Sequence, residues 1–360
     1  MARAMCLAEK GLYSTRPNPR VGCVIVKNGE VVGEGFHISA GGPHAEIHAL
    51  KKAGAAAQGS TVYVTLEPCS HYGRTPPCAD ALIEAGVRRV IAAMSDPNPQ
   101  VAGKGLERLR AAGVEVSSGL LESQAVALNP GFTKRMRCGR PWLRVKLAMS
   151  LDGRTAMASG ESQWITGEAA RKDVQSLRAR SCAILTGAGT VREDNPSLNV
   201  RNGAKNLSRP VADGQPLRVI LSSRGENLSS SKLFDLDGNI LIFCASDMPD
   251  SIRERANVEC LKIASDSTGL DLNAVMDELG RRGINECHVE AGATLSGALL
   301  EAGLVDEIII YMAPLIMGDQ ARGLFHLPEI QTMAQRIPMR ISDIRAVGND
   351  WRITAQPLYS

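Results

Sequence analysis

His44-Ala45-Glu46, then Pro68-Cys69, then Cys78 set one imidazole, two thiols and one spare carboxyl within a short span of chain. Zinc held by three protein ligands keeps a fourth position open for water, whose pKa then drops from about 15.7 to about 7. The unligated Glu46 is free to move protons. The local patterns agree with this reading. His44 opens a helix-like run, Ala45 to Ala57, after Gly41-Gly42-Pro43. Cys69 follows a strand-like run, Thr61 to Leu66. A helix start and a strand end that meet in space bring the three ligands, His44, Cys69 and Cys78, together.

Nine Cys in 360 residues give many accidental spacings, so the order of the residues and the Pro before Cys69 carry the argument. H-x-E…P-C is the pattern of zinc deaminases, in which the Glu serves as general acid and base. The usual thiol spacing there is C-x-x-C, whereas eight residues separate Cys69 from Cys78. His48 lies four residues after His44, on the same helix face. The run H-A-E-I-H is not the H-E-x-x-H of zinc proteases, so His48 is expected to pack or to sit behind the ligands. His71, inside the Cys loop, is expected to line the site.

A chain of 360 residues predicts two domains. Apolar residues make up 44% and charged residues 22%, a globular balance. No apolar run approaches 18 residues, so no membrane span is expected. The first ten residues lack the pattern of a signal peptide. They read as a helix already under way, which predicts a start a few residues upstream. Net charge is only +3, aromatics are 4%, and no basic run occurs, so a nucleic-acid partner is not expected. Nine Cys without a secretory signal point to the reducing cytoplasm.

Val21–Val26 and Val31–Phe36 flank Asn28-Gly29, a strong hairpin signal because both residues accept positive φ. Helix 44–57, strand 61–66, helix 79–85, strand 87–94 and helix 104–112 follow. This alternation predicts an α/β sheet covered on both faces. The basic, Pro-containing stretch Pro130–Pro141 reads as a linker between domains 1–129 and 142–360. Beyond it, strands are expected at 142–148, 182–187, 217–222, 239–244, 286–291 and 305–312. Helices are expected at 168–179, 271–282 and 294–302, and a surface loop at 199–216.

The second half has no G-x-G-x-x-G after a strand, so a standard dinucleotide fingerprint is missing. Two other Gly loops stand out. Gly187-Ala-Gly-Thr190 follows an apolar run, and Gly292-Ala-Thr-Leu-Ser-Gly297 opens a helix. Free N–H groups at such a helix start suit phosphate. Each loop alone is also an ordinary strand-to-helix turn. Ser222-Ser223-Arg224 is a candidate for a ribose 2′-phosphate, or equally a common turn.

Pro17-Asn-Pro-Arg-Val-Gly-Cys-Val-Ile-Val26, Pro43-His-Ala-Glu-Ile-His-Ala-Leu50 and Leu66-Glu-Pro-Cys-Ser-His-Tyr-Gly-Arg-Thr-Pro-Pro-Cys78 closely resemble the bacterial bifunctional riboflavin-biosynthesis deaminase/reductase. Lys146-Leu-Ala-Met-Ser-Leu-Asp-Gly-Arg-Thr-Ala-Met157, Gly160-Glu-Ser-Gln-Trp-Ile-Thr166 and Val289-Glu-Ala-Gly-Ala-Thr-Leu-Ser-Gly-Ala-Leu299 continue the resemblance, which is weakest over 200–285. The wider Cys spacing is that family's own variant. The resemblance implies a cytidine-deaminase-like three-layer α/β/α domain followed by a dihydrofolate-reductase-like α/β domain. It implies one zinc per deaminase domain, NADPH, and a homo-oligomer. The expected chemistry is loss of the 2-amino group from 2,5-diamino-6-(ribosylamino)-4(3H)-pyrimidinone 5′-phosphate. Reduction of 5-amino-6-(5-phosphoribosylamino)uracil to the ribitylamino compound then follows.

Site residues follow from the same resemblance. Glu46 would be catalytic, and Asn18, Asp96 and Asn98 would contact the first substrate, with Arg74 placed to grip its phosphate. Beside Pro, these Asn and Asp residues are otherwise plain turn chemistry. In the second half the cofactor would meet Ala148, Trp164, Thr190, Asp194 and Ser223. It would also meet the loop Gly292, Ala293, Thr294, Leu295, Ser296, Gly297 and Ala298. The second substrate would meet Lys146, Ser162, Arg178, Leu198, Arg201 and Glu290, with Asp152 a further candidate. Trp164 equally suits a core position. Two other readings stay open: a deaminase of another nucleobase or of nucleic acid with an accessory nucleotide-binding domain, and a structural zinc module whose fourth ligand is His48 or His71.

Overall fold

Asn28 and Gly29 both have positive φ, 53° and 84°, and close the hairpin of β1 (Gly22–Lys27) and β2 (Glu30–Phe36). The computed structural model describes residues 1–71, 76–99, 101–201, 214–224, 228–266 and 269–359. The described chain divides into two units, Met1–Gly139 and the residues from Arg140 on.

The first unit continues from α1 (Ala2–Ala8) and the hairpin to α2 (Ala45–Ala53), β3 (Thr61–Val64), α3 (Cys78–Glu84), β4 (Arg89–Ala92), α4 (Lys104–Ala111) and β5 (Glu115–Ser118). Its described sheet runs β2-β1-β3-β4-β5, antiparallel across β2-β1-β3 and parallel across β3-β4-β5. Alternation along β1 sends Cys23 and Ile25 to a core with Ala45, Ala49, Leu82 and Leu109 of the helices. Val24 faces the other side, against Ala4 and Leu7 of α1. Helices on both faces make three layers. α2 lies hard against β2 because Gly33 and Gly35 carry no side chain. A Cβ at Gly35 would stand 2.6 Å from the Ala45 carbonyl oxygen.

α5 (Glu122–Leu128) and α6 (Pro130–Cys138) end the unit. The stretch read as linker is therefore mostly helix. Pro130 takes the first helical turn, where its missing N–H costs nothing, and Gly139, with φ of 75°, terminates the helix.

The second unit holds β6 (Trp142–Ser150), β7 (Arg154–Ala156), α7 (Glu168–Arg180), β8 (Ala183–Gly187), α8 (Ala188–Asp194), β9 (Leu217–Leu221), β10 (Ile240–Cys244), α9 (Asp250–Arg253) and β11 (Val258–Lys262). The short β12 (Ser265–Asp266) and β13 (Gly269–Leu270), α10 (Leu272–Arg281), β14 (Glu286–Glu290), α11 (Ala293–Glu301), β15 (Glu307–Ala313), β16 (Arg322–Gly323), β17 (Met339–Val347) and β18 (Asp350–Pro357) complete it. The large sheet runs β11-β10-β9-β8-β14-β6-β15-β18-β17. It is parallel as far as β15, and β18 and β17 join antiparallel. Leu143, Val145, Leu185 and Val289 pack under α10 and α11 on one face. Ile309 and Tyr311 meet α7 on the other. The expected loop 199–216 lies largely outside the described residues. No helix among the described residues is long and apolar enough to cross a membrane.

Candidate active sites

The first unit gathers its chemistry where α2 and α3 begin. His44 is the N-cap of α2, and Cys78 is the first residue of α3, after Pro77. Cys69 sits in the loop after β3. One ligand atom from each of His44, Cys69 and Cys78 lies within 4.8 Å of the other two. His44 Nδ1 is 3.2 Å from Cys78 Sγ and 3.6 Å from Cys69 Sγ. The Cys78 amide donates to Cys69 Sγ at 3.3 Å, and the Ala79 amide to the Cys69 carbonyl at 3.1 Å. Hydrogen bonds from Cys78 and His44 lower the Cys69 thiol, whereas Cys69 and burial push Cys78 up. The bond to Cys69 raises His44.

A nitrogen and two sulfurs at this separation are a zinc donor set of three, the number that leaves a catalytic position free. Neither His48 nor His71 joins this group among the described residues. His48 instead packs on β2, where its Cβ crowds Gly35, and His71 is exposed. Glu46, in the first turn of α2, is buried, and burial pushes its carboxyl up to about 7.

Asn18 Nδ2 is 3.1 Å from Nε2 of the buried His37, whose Nδ1 is 3.1 Å from the Pro43 carbonyl oxygen. The His37 ring stands edge-on to His44, with centroids 5.4 Å apart. Asn18 is thus tied to the segment that delivers His44. Sequence reading missed His37, a lone histidine with no motif around it. Asp96 is half-buried and accepts from the Asn98 amide at 2.9 Å, and burial raises its carboxyl. Arg74 lies outside the described residues.

In the second unit, three neighbouring strands, β8, β14 and β6, bring chemistry to their carboxyl ends. Glu290 on β14 stands opposite Lys146 on β6. Arg178 of α7 grips Glu290 twice, Nε to Oε1 at 2.5 Å and Nη2 to Oε2 at 2.9 Å, and donates to the Asn199 carbonyl at 2.9 Å. Burial opposes ionisation of Glu290, but Arg178 overrides it and holds the carboxyl well below its ordinary 4.5. Burial also lowers Lys146.

Gly187, at the end of β8, and Gly292, just after β14, open α8 and α11, and neither helix start has a side-chain cap. A Cβ at Gly189 or Gly292 would meet nothing within 4 Å, so open space lies over these turns. Thr190 is in α8, and Thr294 is exposed in the first turn of α11. Ser296 and Gly297 of the same helix are buried, and Ala293, Leu295 and Ala298 are half-buried. Ala148 lies near the end of β6, two residues beyond Lys146. Ser162 Oγ donates to Asp194 Oδ1 at 3.3 Å.

Trp164 is 68% exposed, with the Arg171 guanidinium 4.7 Å over its ring, so it is not core. Leu198 is buried with φ of 43°. Ser223 is exposed, and its carbonyl accepts from Ala245 and Ser246. Arg201 is exposed, its amide bonded to Gln175. Asp152 is engaged elsewhere. It accepts from the amides of Met317 at 3.1 Å and Gly318 at 2.8 Å, and so fixes a loop.

Two family models meet this chain. The cytidine and deoxycytidylate deaminase zinc-binding region matches residues 1–94, and the RibD C-terminal domain matches residues 141–353. The riboflavin biosynthesis protein RibD of Escherichia coli K12 is 53% identical over 355 residues, covering 97% of this chain and 96% of the relative. The chain belongs to the RibD family. The Haemophilus influenzae RibD is also 53% identical, over 99% of this chain and 96% of its own. A solved Acinetobacter baumannii RibD structure superposes with a TM-score of 0.91 at 46% identity, covering 99% of this chain and 98% of that one. A Thermotoga maritima structure described as a diaminohydroxyphosphoribosylaminopyrimidine deaminase/5-amino-6-(5-phosphoribosylamino)uracil reductase gives 0.85 at 34% identity, over 99% and 97%. The cytidine-deaminase-like and RibD reductase halves follow in the order expected from sequence.

Proposed function

We propose that this RibD-family chain performs both steps: deamination of the diaminopyrimidinone ribosyl phosphate in the first unit, then NADPH-dependent reduction of the ribosyl side chain in the second. The observation that carries the reading is the His44, Cys69, Cys78 donor triangle with a buried carboxyl, Glu46, two residues after His44 in the chain.

His44, Cys69 and Cys78 would hold the zinc, which would supply Lewis acidity toward a water near neutral pH. Glu46 accepts the proton and hands it to the departing amine. A carboxyl tuned close to working pH suits both transfers. Asn18, held by His37, and Asp96 and Asn98 on their turn orient the pyrimidinone. Arg74 takes the phosphate.

NADPH, when bound, would supply the hydride that the reduction of the ribosyl side chain requires. The exposed amides at Gly292 and Thr294 suit its phosphates, with Thr190, Asp194, Ser223, Trp164 and Ala148 along its length. Glu290, fixed by Arg178, offers acceptors to the pyrimidine N–H edge. Lys146, Ser162, Leu198 and Arg201 complete the substrate wall. We assign the deaminase to 1–129 and the reductase to 142–360, joined through 130–141, with one zinc per deaminase domain.

The partners are small phosphorylated pyrimidines, and the near-neutral charge supports no nucleic acid. We place the chain in the cytoplasm as a homo-oligomer. The exposed Ile341, Ile344 and Trp351 of the outer β17–β18 ribbon support self-association.

The test is incubation of zinc-loaded protein with the diaminopyrimidinone phosphate, with and without NADPH, following ammonia and absorbance of the reduced nicotinamide. Ammonia in both samples, with NADPH consumed only after deamination, is expected. No ammonia from a metal-replete sample would overturn the reading.

A further inference from the structure

Glu67, in the run Leu66-Glu67-Pro68-Cys69, is 3% exposed and takes no place in the metal-binding trio. Its carboxylate is used in full by backbone amides from one distant segment. Oε2 accepts from Asp96 N at 3.0 Å and Gly103 N at 2.9 Å. Oε1 accepts from Gly105 N at 2.8 Å and Leu106 N at 3.3 Å. The Glu67 amide donates to the Met94 carbonyl at 3.0 Å. A carboxylate has about four acceptor sites, and here each has a donor. Charge-assisted bonds of this kind are stronger than neutral ones. The same segment presses on the Cys69 loop from a second point, since a Cβ at Gly105 would fall 1.9 Å from the Pro68 carbonyl oxygen.

One buried anion therefore straps Asp96, Gly103, Gly105 and Leu106 to the stretch that delivers Cys69. We propose that Glu67 is a positioning residue of deamination, setting Asp96 and Asn98 at a fixed distance from the metal ligands. This rests on the reading that Asp96 and Asn98 contact substrate. An apolar side chain in its place would leave these four buried amides unpaired. Four converging amides demand an anion with both oxygens free to accept. An amide in its place satisfies two of the four and sets a donor against the other two.

The test uses the full chain loaded with Co²⁺, whose thiolate and d–d absorption reports on the His44, Cys69 and Cys78 set. Glu67→Gln is expected to keep the wild-type cobalt spectrum and the NADPH-dependent step. Its KM for the pyrimidinone is expected to rise roughly ten-fold or more, the loss of two bonds to a charged acceptor. Asp96→Ala is expected to raise KM as well, and the double variant to be little worse than the worse single one, because both act through one contact. A normal KM in Glu67→Gln beside a raised KM in Asp96→Ala overturns the inference alone. So does an altered cobalt spectrum in Glu67→Gln, or multiplication of the two effects. A normal KM in Asp96→Ala overturns the substrate-contact reading and the inference with it. If Glu67→Gln does not accumulate, Glu67→Asp keeps the charge but draws the carboxylate back from the four amides. A raised KM with an unchanged cobalt spectrum is expected there too, and an unchanged KM overturns the inference.

Discussion

Glu46 and Glu67 are both buried carboxyls beside the same ligand set, and their surroundings separate their work. Glu67 is saturated with amide donors, so it is spent on geometry. Glu46 is left with a carboxyl that burial has pushed to about 7, so it is free to trade a proton. Glu46→Gln is expected to retain zinc, measured by elemental analysis, while ammonia release falls by about 10²–10⁴-fold. Loss of zinc with the activity would make Glu46 structural instead. In the second unit the buried pair Arg178–Glu290 gives a pH signature. Glu290 is depressed below 4.5, so its stabilisation is present above the unfolded pKa and fades as pH falls through the folded one. Between pH 7 and 5 the wild type should change little on this account. Arg178→Met strands the carboxylate and is expected to cost about 3–5 kcal/mol at pH 7. Without Arg178, burial is expected to outweigh the nearby His288, at 3.4 Å, and Lys146 and to raise the Glu290 carboxyl, so the folded state takes up a proton on acidification. The variant should therefore regain stability between pH 7 and 5 relative to wild type. Urea unfolding at the two pH values checks this, and parallel losses at both would contradict it.

Helix starts do most of the positioning in both units: α2 and α3 present His44 and Cys78, and α11 presents Gly292. The seat of α11 depends on Gly297, where a Cβ would lie 2.0 Å from the His326 carbonyl oxygen. Gly297→Ala is expected to shift the helix at a cost of about 1–3 kcal/mol, the range for overpacking. The KM for NADPH should rise, and a normal KM would show that α11 does not face the cofactor. α10 is held by a true N-cap, Asp271, which accepts from Asn273 and Ala274. Asp271→Ala should cost about 1 kcal/mol and leave both activities intact. Helices and parallel strands such as α10 and β14 were readable because their apolar periods are uninterrupted. β17 was not, because Arg340, Ser342, Asp343 and Arg345 sit among its apolar residues and a register shift between Ile341 and Asp343 breaks the alternation. The helical form of α6 is not legible in the stretch that reads as a linker, because Pro and basic residues mask a helix that begins at its Pro. The metal trio was legible because side-chain types declare a ligand set. Glu67 was not, because its partners are backbone amides, which leave no trace in residue identity.

The two units carry separate reporters, which makes their independence measurable. All three Trp, at 142, 164 and 351, lie in the second unit, and the metal ligands lie in the first. Trp fluorescence therefore follows the reductase half alone, while far-ultraviolet circular dichroism follows both. Metal that binds only the folded state stabilises it by mass action, and its loss removes that term. Without metal, the His44, Cys69 and Cys78 groups are left crowded within 4.8 Å. Chelation is thus expected to lower the melting of the first unit, seen as an earlier dichroism transition, while the Trp transition stays where it was. Ammonia release should vanish in the same sample. NADPH oxidation should persist when the deaminated pyrimidine is supplied directly. Restored zinc should return both the ammonia and the higher transition. A Trp transition that moves with the metal, or an NADPH step that stops on chelation, would mean that the halves fold or work as one body and that the reductase site draws on the metal-bearing unit.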